Sequence, residues 1–203
     1  MSAVPMRCEQ GLRERKKART RASLREHALR LFRDQGYQAT TIEQIAAAAE
    51  VSPSTFFRYF PTKEDLVLQD DLDVRMFEAF ERQPLDLPPI TAIRTAMREA
   101  IATLTPAELD ELALTSELTN SVTEIRARSV DEFNRTIARM AESLAKRTGR
   151  APDDLAVRTL TGAVFGVIMS VTLYGGPGGI PVGPEMFERI DAGLALLEAG
   201  LPL

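Results

Sequence analysis

The chain has 203 residues, 44% hydrophobic and 27% charged, which is enough apolar mass for one large or two small cores and argues against disorder. One cysteine, Cys8, and one histidine, His27, exclude an intrachain disulfide and a Cys/His metal cluster, so neither metal nor cofactor is expected. The net charge of −4 argues against a polyanionic partner, but residues 1–66 carry 12 Lys+Arg against 8 Asp+Glu, whereas residues 67–203 carry 13 against 21.

This division points to a nucleic-acid-facing N-terminal end and an acidic body, with expected domains at 1–66 and 67–203. The cysteine usage fits a reducing cytoplasm. No secretory signal is evident, because residues 13–21 are a basic run with no apolar stretch beside it. The longest apolar segment, residues 160–174, is 15 residues long and contains Thr161, Ser170 and Thr172. A bilayer span needs roughly 17 to 25 residues, so this segment is expected as a buried helix, with no membrane partner.

Helical spacing recurs throughout and period-two alternation does not, so the expected fold is all-α with about nine helices. The first is expected near 15–35, with Leu24, Ala28, Leu31 and Phe32 on one face and Gly36 as its stop. Thr41-Ile42-Glu43-Gln44 has the form of a capping box and opens a short second helix through Ala49. Ser52 can cap a third, with Pro53 at its first position and Phe60 at its end. Only Glu50 and Val51 separate the two, the length of a helix-turn-helix turn. Thr62 is expected to cap a fourth helix over 63–82, stopped by Pro84, Pro88 and Pro89. Further helices are expected over 91–104, 106–119, 121–148, 152–174 and 183–200, separated by breaker clusters at 148–152 and 175–179.

A helix-turn-helix lays its second helix in the major groove, while hydroxyls, cations and helix N-termini hold phosphates. Candidate phosphate contacts are Thr40, Thr41, Ser52, Tyr59 and Lys63, the last a cation placed against the dipole of the helix it opens. Candidate base contacts are Pro53, Ser54, Thr55, Phe57 and Arg58. Leu31, Phe32, Ile42, Ile45, Val51, Phe56, Phe60 and Leu66 have the spacing of the core beneath that face. Arg13, Arg15, Lys16, Lys17 and Arg19 form a candidate arm that follows the backbone or enters a minor groove, and they are otherwise a solvated face.

Thr41-Ile-Glu-Gln-Ile-Ala46, Val51-Ser52 and Phe56-Phe57-Arg58-Tyr59-Phe60-x-x-Lys63-Glu64-x-Leu66 resemble the N-terminal signature of the TetR family of repressors, a resemblance covering residues 20–68. It implies a three-helix DNA-binding domain, a linking fourth helix, and a divergent ligand-binding body whose last two helices form an intersubunit four-helix bundle. By position it assigns phosphate contact to Thr41, Ser52, Tyr59 and Lys63, and approach to bases to Pro53, Ser54, Thr55 and Phe57. Two departures are visible. Glu50 stands where glycine is common, at a cost of about 1 kcal/mol if left-handed. Phe57 replaces a common tyrosine and has no hydroxyl to donate.

In the body, Phe77, Phe80, Met97, Leu104, Leu118, Phe133, Met140, Phe165 and Met169 are spaced to face inward, as core or as the wall of an apolar ligand cavity. Ser116, Asn120, Arg126 and Arg128 are candidate polar anchors. The N-terminal block and residues 120–128 are similar to a subgroup of these regulators with acyl-CoA-like ligands, including regulators linked to mycofactocin gene clusters. Gly162-x-x-x-Gly166 frees one helix face for close approach, and with Met186, Ile190, Leu194 and Leu197 makes a candidate homodimer interface.

The reading is therefore a ligand-responsive regulator of double-stranded operator DNA, most simply a repressor. No H-E-x-x-H, G-x-S-x-G or P-loop is present, so an enzyme is not expected. The alternative is a helical adaptor that keeps a helix-turn-helix with weak, sequence-indifferent DNA affinity.

Overall fold

Helix boundaries fall where the chain supplies caps and stops. In a computed structural model, which describes residues 6–68, 71–172 and 181–202, ten helices and no strand occur among the described residues. The chain divides into two compact units, Met1–Gln69 and Asp70–Leu203.

The N-terminal unit holds α1 (Met6–Gln35), α2 (Ile42–Ala48), α3 (Pro53–Tyr59) and α4 (Asp65–Leu68). Gly36, at φ 86°, stops α1 as expected. The basic run is not an extended arm: it continues α1, and Arg13, Arg15, Lys16, Lys17 and Arg19 project from that helix into solvent. Arg, Lys, Ala, Gln and Glu are strong helix formers, which is enough to carry the helix past the end of its apolar stripe. The Cys8 side chain lies outside the described residues. Leu24, Ala28, Leu29, Phe32, Tyr37, Ile45, Ala46, Phe56, Phe60, Leu66 and Val67 are buried together. Leu31, Ile42 and Val51 are only half-buried and frame this core.

The C-terminal unit holds α5 (Asp71–Arg82), α6 (Pro89–Ala102), α7 (Pro106–Ser121), α8 (Thr123–Thr148), α9 (Leu155–Thr172) and α10 (Pro184–Glu198). The expected fourth helix is thus described as α4 and α5, with residues 69–70 outside the described set, as is the 175–179 glycine cluster. Pro89 does not stop a helix but opens α6, where its missing N–H goes unneeded. One apolar core runs through α5, α6, α8, α9 and α10, with Leu144 and Leu194 at its centre. Arg147 on α8 donates to the carbonyls of Gln83 (3.2 Å), Pro84 and Leu87 (3.0 Å), fixing the loop between α5 and α6. Arg94 on α6 makes a two-pronged pair with Asp191 on α10 (3.0 and 3.2 Å) and also reaches Glu198. The Arg94 guanidinium holds the Asp191 carboxyl below its ordinary range.

Two expectations about α9 and α10 are corrected. The 15-residue apolar segment by itself falls short of a span, but its described residues lie in α9, 18 residues long within the expected range, and by length and composition that helix is the one candidate span among the described residues. It packs nonetheless against α8 and α10, burying Val157, Thr161, Val164 and Phe165 while Leu155 (80% exposed), Gly162 and Gly166 stay open. Met186, Ile190 and Leu194 face the core of their own unit, so they are spent inside the subunit and are not surface for a second copy. Close approach of the two helices occurs at Gly193 on α10, where a Cβ would lie 2.6 Å from Val167 Cγ1 on α9.

Candidate nucleic-acid interface and ligand cavity

The recognition surface begins with two caps. The Thr41 hydroxyl accepts from the Gln44 N–H (3.2 Å) while the Thr41 N–H donates to Gln44 Oε1 (2.9 Å), the capping box the sequence predicts. Ser52 caps α3 by accepting from the Thr55 N–H (3.2 Å), with Pro53 at the first position. Between them Glu50 adopts φ 55°, the left-handed turn position that favours glycine.

α3 then presents two faces. Phe56 and Phe60 are fully buried, which locks the helix by its back, and Pro53, Ser54, Phe57 (51% exposed) and Arg58 stand out into solvent. The Ser52 hydroxyl lies 2.9 Å from that of Ser54 and 3.0 Å from that of Thr55, so three hydroxyls converge where α3 begins. Tyr59 is half-buried, with the Arg58 guanidinium 5.2 Å from its ring centroid. Arg15, Lys16, Arg19, Thr20 and Ser23 on α1 face residues 49–51 across a shallow groove, which sets cations of the basic run beside the turn.

One expected phosphate contact is corrected, and a second has partners within its own unit. Thr40 is 1% exposed; its hydroxyl donates to the Gly36 carbonyl (2.8 Å) and accepts from Gln35 Nε2 (3.1 Å), so it serves the loop after α1. Lys63 Nζ donates to the carbonyls of Tyr37 (2.9 Å) and Thr40 (3.0 Å) and lies 4.0 Å from the Tyr37 ring centroid. Two of its three donors are therefore directed inward, and its charge against the helix dipole answers these carbonyls. Tyr37, which the sequence reading passed over, is the hub: its hydroxyl donates to Glu64 Oε1 at 2.7 Å. Burial works to raise the Glu64 carboxyl, but the Tyr37 and backbone hydrogen bonds and the neighbouring Lys63 charge prevail and hold it below its ordinary value.

The C-terminal unit contains an apolar cavity of about 60 Å³ lined by Asp73, Met76, Phe77 and Phe80 of α5, Ile93 and Ala96 of α6, Thr136 and Met140 of α8, and Phe165 and Ile168 of α9. Of the expected wall, Phe77, Phe80, Met140 and Phe165 are brought together, and Phe133 packs edge-on against Phe165 at 5.2 Å. Met97 and Leu118 are buried away from the lining, and Leu104 and Met169 are half-buried outside it. Asn120 and Arg126 are exposed, and Ser116 and Arg128 half-buried; none of the four lines the cavity. Its polar groups are instead Asp73 and Thr136, one helical turn from Phe77 and Met140 respectively, a spacing that could have nominated them. No group of three or more potential metal ligands occurs among the described residues.

Residues 24–69 match the family described as bacterial regulatory proteins, tetR family, and residues 87–202 match the MftR C-terminal domain. The transcriptional regulator TcmR of Streptomyces glaucescens is 43% identical over 102 residues, 49% of this chain and 45% of TcmR, so the match spans less than half of that relative. A TetR-family regulator structure from Syntrophomonas wolfei superposes with a TM-score of 0.61 at 18% identity, covering 92% of this chain and 98% of that one, a likeness of fold alone. The TetR-family repressor FadR of Thermus thermophilus, crystallised with lauroyl-CoA, superposes with a TM-score of 0.53 at 25% identity over 90% and 95% of the two chains. The chain belongs to the tetR family of bacterial regulatory proteins, with a C-terminal domain of the MftR type.

Proposed function

We propose that this protein is a ligand-responsive, sequence-specific DNA-binding regulator, acting as a homodimeric repressor that a small apolar effector releases from a near-palindromic operator. The observation that carries this reading is α3: a short capped helix pinned by Phe56 and Phe60, with Pro53, Ser54, Phe57 and Arg58 left outward. Ser54, Thr55 and Arg58 supply the hydrogen-bonding groups for base edges, and Phe57 suits a thymine methyl. Thr41, Ser52 and Tyr59 hold phosphates, and the α1 cations add sequence-independent attraction. Lys63 supports these contacts by fixing the loop between α1 and α2. Two such helices about 34 to 36 Å apart read successive major-groove turns. Gly162 and Gly166, both open on α9, are the small residues at which a second copy approaches, and Leu197 lines an open surface with Thr159, Leu160 and Ala163 of the same helix as the glycines.

The cavity is smaller than the roughly 300 to 1,000 Å³ of ordinary ligand pockets, so an effector enters by displacing flexible side chains, Met76 and Met140 among them. α5 supplies four of the lining residues and comes next in the chain after the N-terminal unit, so enlargement of the cavity displaces the helix through which the two units are joined in sequence. An effector with more affinity for the enlarged state thereby disfavours the DNA-bound one. An acyl chain, as in the FadR complex, suits the apolar lining. The setting is the cytoplasm, where the operator is. The test is an anisotropy titration on DNA flanking the protein's own gene, at fixed salt with excess unrelated duplex, repeated with lauroyl-CoA. Competitor-resistant binding that the ligand relieves supports the proposal, whereas weak binding indifferent to sequence supports an adaptor.

A further inference from the structure

The chemistry of the cavity's polar groups narrows the effector, and this step rests on the effector-cavity reading above. The Thr136 hydroxyl donates its proton to the Glu132 carbonyl at 3.2 Å, which leaves only lone pairs for anything in the cavity. Asp73, as a carboxylate, also only accepts, and with about four lone-pair positions a partner elsewhere does not exhaust it. No Lys or Arg lines the cavity among the described residues. Arg139 lies over the ring of Phe77, its Cζ 4.1 Å from the centroid, without joining the lining. The wall is therefore apolar, with acceptors as its polar groups. A ligand carboxylate or carbonyl placed there loses its hydrogen bonds to water and meets only lone pairs, while a ligand donor finds at the rim of the apolar wall a charged acceptor, Asp73, and a hydrogen bond to a charged group is stronger than a neutral one.

We propose that the cavity selects apolar effectors bearing a hydrogen-bond donor, a phenolic or alcoholic hydroxyl or an amine, held by Asp73 with Thr136 as a second acceptor, and discriminates against carboxylates. Three isosteres isolate the donor: 4-butylphenol, its methyl ether 4-butylanisole, and 4-butylbenzoate. They are titrated calorimetrically into the full-length protein, alongside lauroyl-CoA. The phenol is expected to bind about tenfold or more tightly than either analogue, because a site built of acceptors rejects a ligand that cannot donate. Asp73→Ala, at an exposed position, is expected to abolish most of that preference, and Thr136→Val to reduce it. Equal or tighter binding of the benzoate or lauroyl-CoA to the unmodified protein, or a preference that Asp73→Ala leaves intact, overturns donor selection while leaving the cavity reading standing. Failure of all four compounds to bind overturns the cavity reading itself, and donor selection with it.

Discussion

Replacing Gly193 with alanine places a methyl group where the structure leaves no room. The added Cβ falls 2.6 Å from Val167 Cγ1, against the roughly 3.5 to 4.0 Å at which carbon atoms rest in contact. Two responses are open: α10 moves away from α9 by about 1 Å, or Val167 leaves its preferred rotamer, which a β-branched residue in a helix does poorly. Overpacking of this kind costs about 1 to 3 kcal/mol, while the gain in helix propensity from glycine to alanine returns up to about 1 kcal/mol. The net expectation is a loss of about 1 to 2 kcal/mol, read by urea denaturation at fixed protomer concentration so that any dimer linkage cancels. The diagnostic is the double variant with Val167→Ala, which removes the clashing methyl groups. A coupling of about 1 to 2 kcal/mol in favour of the double variant follows from the geometry. Stabilisation by Gly193→Ala alone, with no coupling to position 167, would refute the close approach of α9 and α10.

Lys63→Met should lower the stability of the N-terminal unit by about 1 to 3 kcal/mol, because it strips charge-assisted bonds from the Tyr37 and Thr40 carbonyls; unchanged thermal stability with a DNA-binding salt slope reduced by about one would restore the pure phosphate role. Glu50→Gly should raise stability by up to about 1 kcal/mol through relief of the left-handed turn residue, measured by the same denaturation. Acid should unfold the protein partly through Glu64, Glu108 and Asp191, whose carboxyls are all lowered in the fold, Glu108 to about 2 beside Arg75. Their contribution is fully present above the ordinary carboxylate range and is lost as pH falls through the folded values, so Glu108→Gln should flatten the decline between about pH 4.5 and 2.

Local signals were readable because each acts over a few residues: the Thr41–Gln44 box, Ser52 with Pro53, and the Gly36 stop need no distant partner. What escaped the sequence depends on contacts across long separations. Nothing near Lys63 says that carbonyls 26 and 23 residues away accept its N–H groups. The spacing of Met186, Ile190 and Leu194 marks an apolar stripe, but a stripe facing its own core and one facing a second copy have the same period. The glycine pair on α9 drew attention by its motif, whereas the close contact fell on Gly193, visible only once α9 and α10 are paired. Large residues disclosed the cavity wall; its chemistry lay in Asp73 and Thr136, whose one mark in the sequence is their spacing of a helical turn from Phe77 and Met140. The helical extent of the basic run follows from residue propensity, which acts where no apolar stripe gives a period.

The central claim, that the exposed face of α3 reads DNA sequence as one half of a symmetric pair, is tested most directly by selecting bound duplexes from a random library with the unmodified protein and with Ser54→Ala. The account predicts a near-palindrome whose half-sites are centred about 10 to 10.5 base pairs apart or a multiple of that, with Ser54→Ala relaxing preference at particular positions in each half. Enrichment of no sequence, or an identical site from both proteins together with a binding energy that depends on salt alone, would contradict it.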